Sequence, residues 1–215
     1  MIQAKNFTVI VGDLVDSRRI VRRDETADKI HQALQQLGET FAQQIVAPPM
    51  LTQGIDEFSA VWATPAETFH MARELNERLH PHVFRISIAV GNIDIGLSEN
   101  HAGLMDGPAF HRAAGNLDEM RRGGEIYRFH LGAGQEDLSR WLTTTANLYH
   151  LLTTDRTARQ LEVVRLYRKI GRQDEVALQL GVTQQAVSQS LRQSSYRQMA
   201  AAEEMIDSFL KSHLT

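Results

Sequence analysis

Two short acidic segments of this chain carry residue types that could hold a divalent cation. Residues 54–58 read Gly-Ile-Asp-Glu-Phe between two strand-like stretches, which places Asp56 and Glu57 at a tight turn. Residues 9–13 read Val-Ile-Val-Gly-Asp, an apolar strand that ends on Asp13. Carboxylate oxygens are ligands that Mg²⁺ prefers in proteins. The sequence therefore predicts a site for Mg²⁺, or Mn²⁺, formed by Asp13, Asp56 and Glu57.

A metal at these acids would suit the binding of a nucleotide. Mg²⁺ usually takes few protein carboxylates and fills its shell with phosphate oxygens, and two ions about 3.5–4 Å apart can activate a hydroxyl and neutralise a leaving pyrophosphate. Further predicted nucleotide contacts are Leu14 (through its carbonyl), Ser17, Arg18, Gly54, Arg121 and Arg122. The alternative is that these acids are ordinary solvated turn residues, because Asp often bonds to its own backbone in turns.

The pattern around the acids predicts the elements that would position them. Apolar periodicity indicates strands at 7–12, on both sides of residue 54, at 83–90 and at 125–129, and helices at 24–46, from Pro65 and from Pro108 to about 120. This β-α-β-β-α-β order, followed by a helix and a strand, is typical of an α+β, ferredoxin-like domain with an antiparallel sheet and helices on one face. In that topology Asp13 and Asp56 are expected to be neighbours.

The second half of the chain carries the spacing of a helix-turn-helix. Ala177 is small where two helices would cross, Gly181 suits a left-handed turn, and Thr183 can cap the next helix. Val187 and Leu191, four residues apart, supply the inward side of that helix. We therefore predict an all-α domain after the Gly-rich segment near residue 132: residues 1–132 form the nucleotide-binding domain, 133–155 a connecting helix, and 156–215 the DNA-binding domain.

The second helix of this unit would enter the major groove of DNA. The predicted DNA contacts are its exposed side chains and nearby groups: Arg172, Thr183, Gln184, Gln185, Ser188, Gln189 and Arg192. Residues 156–197 hold eight Lys or Arg and three Asp or Glu, which favours DNA as the partner. The alternative is a helix-turn-helix that contacts only proteins. An apolar stripe over 196–214 is more often typical of core packing, but it could also pair two copies, and we expect a homodimer.

Three motifs, which occur in the expected order, resemble nucleotide-handling families. Gly-Ile-Asp-Glu-Phe (54–58) is similar to the signature turn of GGDEF diguanylate cyclases, with Ile55 replacing the second glycine. Gly-Asp-Leu-Val-Asp-Ser (12–17) is similar to the first metal-binding strand of class III nucleotidyl cyclases. Together with Met-Asp-Gly-Pro-Ala-Phe-His-Arg-Ala (105–113), they resemble the SatD family over most of the chain. That resemblance implies a cyclase-type palm domain followed by a DNA-binding segment.

One motif departs from the class III cyclase pattern. There the later helix supplies an Asn to the ribose and an Arg to the transition state. Here His111 stands in place of the Asn, and Gly115 stands near the place of the Arg. The resemblance therefore implies nucleotide binding with His111 at the site. Arg112 and Asn116 are close to these places, but neither matches them directly, and loss of a transition-state charge can lower a rate by orders of magnitude.

Composition narrows the remaining possibilities. The chain has 215 residues and no cysteine, which excludes disulfides and thiolate zinc sites. The lack of cysteine fits a cytoplasmic location. No stretch approaches 18 consecutive apolar residues, so we expect no membrane span.

The leading hypothesis is a DNA-binding transcription regulator. Its palm-like domain would bind a nucleoside triphosphate, or a cyclic or oligonucleotide, with Mg²⁺. The alternatives are an active nucleotidyl cyclase or oligonucleotide synthase regulated by its helix-turn-helix, and a degenerate palm domain that acts as a dimerisation scaffold.

Overall fold

A five-stranded sheet positions the acidic segments in the computed structural model, which describes residues 6–212. The strands lie in the order β2-β3-β1-β4-β5. The elements of this part of the chain are β1 (Phe7–Leu14), α1 (Arg23–Thr40), β2 (Ile45–Gln53), β3 (Glu57–Trp62), α2 (Thr68–Leu79), β4 (Phe84–Gly91), α3 (Pro108–Gly123) and β5 (Tyr127–His130). The predicted order of strands and helices is confirmed. The fold is α+β.

The sheet differs from the predicted one in two respects. β4 and β5 are parallel, so the sheet is mixed and not purely antiparallel. Helices also cover both faces. On one face Val9 lies in an apolar cluster with Ala109 and Ala113 of α3. On the other face Asn76 of α2 donates to the Phe84 carbonyl, at 3.0 Å.

The strand sequences explain why both faces are covered. Val9 and Ile10 project to opposite faces of β1, and both are fully buried. A strand with one face in water alternates apolar and polar residues, whereas a strand buried on both faces is apolar at successive positions. The run of β1 is of the second kind, so the prediction of helices on one face only was wrong.

The boundary between α1 and β2 also differs from the prediction of a helix over 24–46. α1 ends at Thr40, and β2 begins at Ile45 and contains Pro48 and Pro49. β2 is an edge strand whose pairing with β3 has register shifts. Proline is tolerated there because an edge strand has backbone positions with no partner to donate to.

The chain divides into two compact units. Unit 1 contains the residues up to Thr144 and those from Ile206 onward, and unit 2 contains Thr145–Met205. The later helices are α4 (Glu136–Thr154), α5 (Ala158–Ile170), α6 (Gln173–Leu180), α7 (Gln184–Gln193) and α8 (Tyr196–Ser212). Both divisions therefore fall inside helices, one in α4 and one in α8.

Unit 2 is held together by a small core of its own. The core is formed by apolar residues of three helices: Val163, Val164, Val176, Ala177, Val187 and Leu191. α5 begins with a capping box, in which the Thr157 side chain accepts from the Gln160 amide and the Gln160 side chain accepts from the Thr157 amide. Arg156 is buried and donates to the Ser194 carbonyl at 2.8 Å, which ties the start of α5 to the end of α7.

The helices within residues 6–212 are too short or too polar to span a membrane. None of the helices there combines the length and the apolar character that crossing a bilayer requires.

Candidate functional site

β1 ends in a group of charged residues at one end of the sheet. Asp13 lies opposite Glu57 of β3 and opposite Arg85 of β4 in the register of the strands. Directly opposed residues project to the same face of a sheet, so these three side chains lie on one face. Asp13 follows Val9 by four residues in β1, so the two side chains project to the same face of the sheet. This is the face on which α3 packs.

Arg121, in the last turn of α3, joins these acids. Its Nη2 lies 2.8 Å from Asp13 Oδ1 and 3.1 Å from Glu57 Oε1, and its Nε lies 3.2 Å from Asp13 Oδ2. Its Nη1 donates to Asp118 Oδ1 at 2.9 Å. Arg85 donates to Asp13 Oδ2 at 2.8 Å. We call Asp13, Glu57, Arg85, Asp118 and Arg121 the Asp13 cluster.

The Asp13 carboxylate is paired with two arginines of the cluster. The Asp13 side chain is only 13% exposed, and both of its oxygens accept hydrogen bonds from arginines. The hydrogen bond with Asp13 is the main reason that the pKa of Arg121 is raised above its ordinary value, and Glu57 raises it further. Arg121 is therefore a permanently charged link between α3 and two strands.

Asp56, the predicted partner of Asp13, lies outside this cluster. Its backbone carbonyl accepts from the Leu14 amide at 2.7 Å, but its carboxylate lies 3.7 Å from Nη2 of Arg23. The Oδ1 atom of Asp56 is buried and accepts no hydrogen bond from the residues that the structure describes. The structure thus brings Asp13 together with Glu57 and leaves Asp56 beside Arg23.

In the observed arrangement, the carboxylates of Asp13, Asp56 and Glu57 do not form a metal-binding site. Across residues 6–212 there is no group of three or more His, Asp or Glu side chains that could hold one. Both oxygens of Asp13 are occupied by guanidinium groups, so an ion would have to displace Arg121. The cavity beside Glu57 and Arg121 measures about 160 Å³, below the roughly 300 Å³ of ordinary ligand pockets. Binding of Mg²⁺ or Mn²⁺ stays a prediction.

The other predicted nucleotide contacts near β1 and the β2–β3 turn do not form one group. The side chain of Leu14 is buried, and the Ser17 carbonyl accepts from Arg23 at 3.3 Å. Arg18 is exposed and forms no ion pair with any described residue. Gly54 has φ of 55° and occupies the turn between β2 and β3, where open space surrounds it.

His111 and Arg122 are separate from the Asp13 cluster. His111 lies in the first turn of α3 and its Nε2 is 2.9 Å from Asp106 Oδ1. Ten residues separate it from Arg121 along the helix, which corresponds to about 15 Å. Arg122 is exposed and has no ion-pair partner within the described range. Of the residues predicted to form the site, the structure therefore groups Asp13, Glu57 and Arg121.

Three residues that contact the predicted site residues were absent from the prediction: Arg23 beside Asp56, Arg85 beside Asp13, and Asp118 beside Arg121. Two of them carried a signal in the sequence. Arg85 is a charged residue inside an otherwise apolar strand, and Asp118 stands three residues before Arg121, a spacing at which charges pair on a helix. Arg23 carried none, because its position beside Asp56 depends on how α1 follows β1.

In unit 2, α6 and α7 have the local geometry that their sequences predict. Gly181 ends α6 with φ of 64°, and the Thr183 side chain accepts from the Ala186 amide at 3.2 Å at the start of α7. Val187 and Leu191 are buried. The predicted contact residues of α7 point away from that core: Gln184, Gln185, Gln189 and Arg192 are exposed, and Ser188 is partly exposed.

The cations near α7 differ in their availability. Arg172, a predicted DNA contact, lies 2.6 Å from Asp174 and 3.2 Å from Glu175, so its charge is already paired. Lys169 and Arg197 are exposed, as is Arg192, and within residues 6–212 they form no ion pair. The charges of Lys169, Arg192 and Arg197 are therefore exposed and unpaired among the described residues.

These features define an α+β protein in which a mixed five-stranded sheet, with a charged cluster at one end, is followed by a helical unit. The sequence profile of the SatD family matches residues 7–206. The chain therefore belongs to the SatD family. A search of curated proteins gave no match.

Proposed function

We propose that this protein is a DNA-binding transcription regulator. α6 and α7 form a helix-turn-helix, and α7 lies in the major groove. The observation that carries the proposal is the contrast between the two sides of α7, since Val187 and Leu191 are buried whereas Gln185, Gln189 and Arg192 are exposed. Two copies acting together would contact two half-sites.

The environment of α7 supports DNA over a protein partner. The exposed face of α7 has no acid and no large apolar residue, whereas the centre of a protein interface is enriched in aromatic residues and Met. The free charges of Lys169, Arg192 and Arg197 suit phosphate groups.

We further propose that unit 1 binds a nucleotide, with Mg²⁺ or Mn²⁺ as its ion. Support comes from the acidic motifs and from Arg121, whose guanidinium group carries a permanent positive charge beside Asp13, at the C-terminal end of β1. Because Arg85 and Arg121 occupy Asp13, binding requires the Asp13 cluster to rearrange. The proposal therefore predicts slow or weak binding compared with a preformed site.

One observation favours a second candidate, in which unit 1 is a scaffold that pairs two copies. Arg121 bonds to acids of β1, β3 and α3, which is what a structural link would do. In this case Asp13→Asn and Asp56→Asn leave DNA binding and assembly unchanged.

A third candidate, an active cyclase or oligonucleotide synthase, predicts pyrophosphate release from labelled nucleoside triphosphates that both substitutions abolish.

DNA binding is tested with the full chain and a mixed pool of double-stranded DNA at 50 mM and 200 mM salt. We expect binding that weakens with salt and that weakens further in Arg192→Ala, since phosphate contacts release counterions. Arg122→Ala is the matched control, because Arg122 is an exposed and unpaired arginine of unit 1. If the folded protein does not bind DNA at 50 mM salt, the proposed DNA-binding function is wrong.

Nucleotide binding is tested by calorimetry with ATP and GTP, each with and without Mg²⁺. We expect heat of binding that requires the ion and that is lost in Asp13→Asn. Asp137→Asn is the control, because the Asp137 side chain is fully exposed in the first turn of α4 and forms no hydrogen bond with the Asp13 cluster. No heat with any nucleotide would contradict this half of the proposal and leave the DNA-binding half standing.

A further inference from the structure

The exposed side of α7 carries an ordered stripe of side chains. Gln185, Gln189 and Arg192 stand at positions i, i+4 and i+7, which align along one side of a helix. The buried residues Val187 and Leu191 mark the opposite side. All three side chains of the stripe are exposed, and none of them forms a hydrogen bond or ion pair within the described residues. Their polar groups are therefore free for a ligand.

The chemistry of this stripe matches one kind of base pair. Glutamine pairs bidentately with N6 and N7 of adenine, arginine or lysine reads guanine, and aspartate or glutamate accepts from cytosine. α7 has no acid in its first turn, and its basic residue, Arg192, lies in its last turn. The residues that contact bases are usually those at the beginning of the recognition helix. There the α7 sequence offers Gln184 and Gln185, and Gln189 follows Gln185 by one turn on the same side of the helix.

We infer that α7 reads A·T-rich DNA and that Gln185 and Gln189 each contact an adenine in the major groove. This inference rests on the proposed DNA-binding function. Residues four apart are separated by about 6 Å along a helix, and successive base pairs by about 3.4 Å. The two adenines therefore lie within about two base pairs of each other in a half-site.

Some arginines of unit 2 are already paired with acids, which increases the share of DNA affinity that base contacts must provide. Arg159 is paired with Glu162 at 2.7 Å, and Arg172 with Asp174 at 2.6 Å. With these arginines already paired, Lys169, Arg192 and Arg197 remain for phosphates, which is three charges per copy. A larger share of the affinity must then come from base contacts, so binding should depend strongly on sequence.

The test is selection of bound duplexes from a random double-stranded pool by the full chain at one fixed salt concentration. We expect an enriched half-site with two A·T pairs no more than about two base pairs apart. In Gln185→Ala, affinity for that site should fall about 5- to 150-fold and the preference at one A·T position should disappear. Gln32→Ala, at an exposed glutamine of α1, is the control and should change neither.

A second variant distinguishes readout from general loss of binding. Gln185→Glu should shift the preferred base at the same position from A to C, because a carboxylate accepts from the cytosine amino group. A G·C-rich consensus, or binding without base preference, overturns the inference while the proposed DNA-binding function survives. Failure of the wild-type chain to bind any DNA overturns the proposed function itself.

Discussion

Gly12 and Asp13 are neighbours in β1 but serve opposite faces of the sheet. Gly12 lies opposite Phe58, and a Cβ added to Gly12 would lie 2.0 Å from Cε1 of that ring. Phe58 is 1% exposed and its ring contacts that of Phe84, so it has little room to move. The glycine of the Gly-Asp motif is therefore explained by packing, without any need for a phosphate group to approach the backbone.

We predict that Gly12→Ala lowers the free energy of unfolding by about 1–3 kcal/mol, as expected for overpacking of a dense core. The measurement is urea unfolding of the purified variant. Gly115→Ala is the control, because an added Cβ there meets nothing within 4 Å and α3 gains a better helix former. It should raise the free energy of unfolding by about 0.5–1 kcal/mol. Equal effects of the two substitutions would contradict the packing explanation.

Asp207, near the end of α8, is a poorly solvated acid within unit 1. Burial raises its pKa to about 6, with a further contribution from Glu67, while His70, Arg73 and Lys211 oppose the rise. Its Oδ1 atom is buried and lacks a hydrogen-bond partner among the described residues. Protonated Asp207 is thus more compatible with the fold than the ionised form.

The sign of the pH effect follows from this raised pKa. The folded state binds a proton more tightly than the unfolded state, so stability falls as pH rises from about 4 to about 6 and stays lower above that range. Asp207→Asn should therefore raise the free energy of unfolding by up to about 3 kcal/mol at pH 7.5, and by much less near pH 4.5. Urea unfolding of both proteins at the two pH values measures this. A gain that does not depend on pH would exclude the linkage.

At the residue scale, sequence reasoning identified part of the charged site. Asp13, Glu57 and Arg121 were predicted to lie in one site, and they share hydrogen bonds. The sequence could not show whether Asp56 or Glu57 lies directly opposite Asp13. Asp56 and Glu57 are adjacent in sequence, and successive residues of a strand project to opposite faces. A shift of one residue in the register of β1 and β3 would exchange them.

At the scale of elements, the Asp13 cluster links the end of α3 to the sheet. Arg121 contacts Asp13 of β1 and Glu57 of β3, while Arg85 of β4 contacts Asp13 from the other side. The α3 helix ends two residues later at Gly123. Its last turn is therefore held by charge, whereas its first turns are held by apolar contacts such as that of Ala109.

We predict that Arg121→Ala loosens the last turn of α3 and lowers the free energy of unfolding by about 1–2 kcal/mol, because a mostly buried Asp13 loses hydrogen bonds to a charged donor. Amide hydrogen exchange should rise at residues 118–123 and stay unchanged at 108–113. Arg122→Ala, at an exposed and unpaired neighbour, should alter neither quantity. Unchanged exchange in Arg121→Ala would show that the link has no structural role.

The element boundaries show which local signals were sufficient. α3 begins at Pro108 and ends before Gly124, as proline and glycine at helix ends indicate. α1 ends earlier than predicted because residues 41–44 form a turn, and Ile45 and Val46, whose apolar character fits a helix or a strand equally well, belong to β2. Pairing with β3, through contacts such as Ile45 with Trp62, decided for the strand. Short apolar segments are ambiguous until a partner strand is present.

At the scale of the whole molecule, the two units carry different charge. Unit 1 contains the acidic motifs of the Asp13 cluster, and unit 2 contains the exposed cations Lys169, Arg192 and Arg197. The chain passes from unit 1 to unit 2 within α4 and returns within α8. The predicted boundary near residue 132 followed composition, whereas the division of the structure falls inside α4.

We predict a shallow salt dependence of DNA binding for the full chain. If each copy neutralises about three phosphates, a homodimer should show a slope of log K against log salt of about −5. Lys169→Ala should reduce the slope by about 2 in a dimer, since one phosphate contact is lost per copy. Fluorescence anisotropy with a selected duplex measures both. A slope near −10 would show that phosphates are bound by many other cations.

The sequence alone determined the α+β class, the order of strands and helices, and the cap and turn between α6 and α7. These depend on apolar periodicity and on glycine, proline and threonine at helix ends, which act over a few residues. Only the tertiary structure decided which residues face Asp13. That choice depends on strand register and on α3 crossing the sheet, so it follows from contacts between residues as far apart in sequence as Asp13 and Arg121.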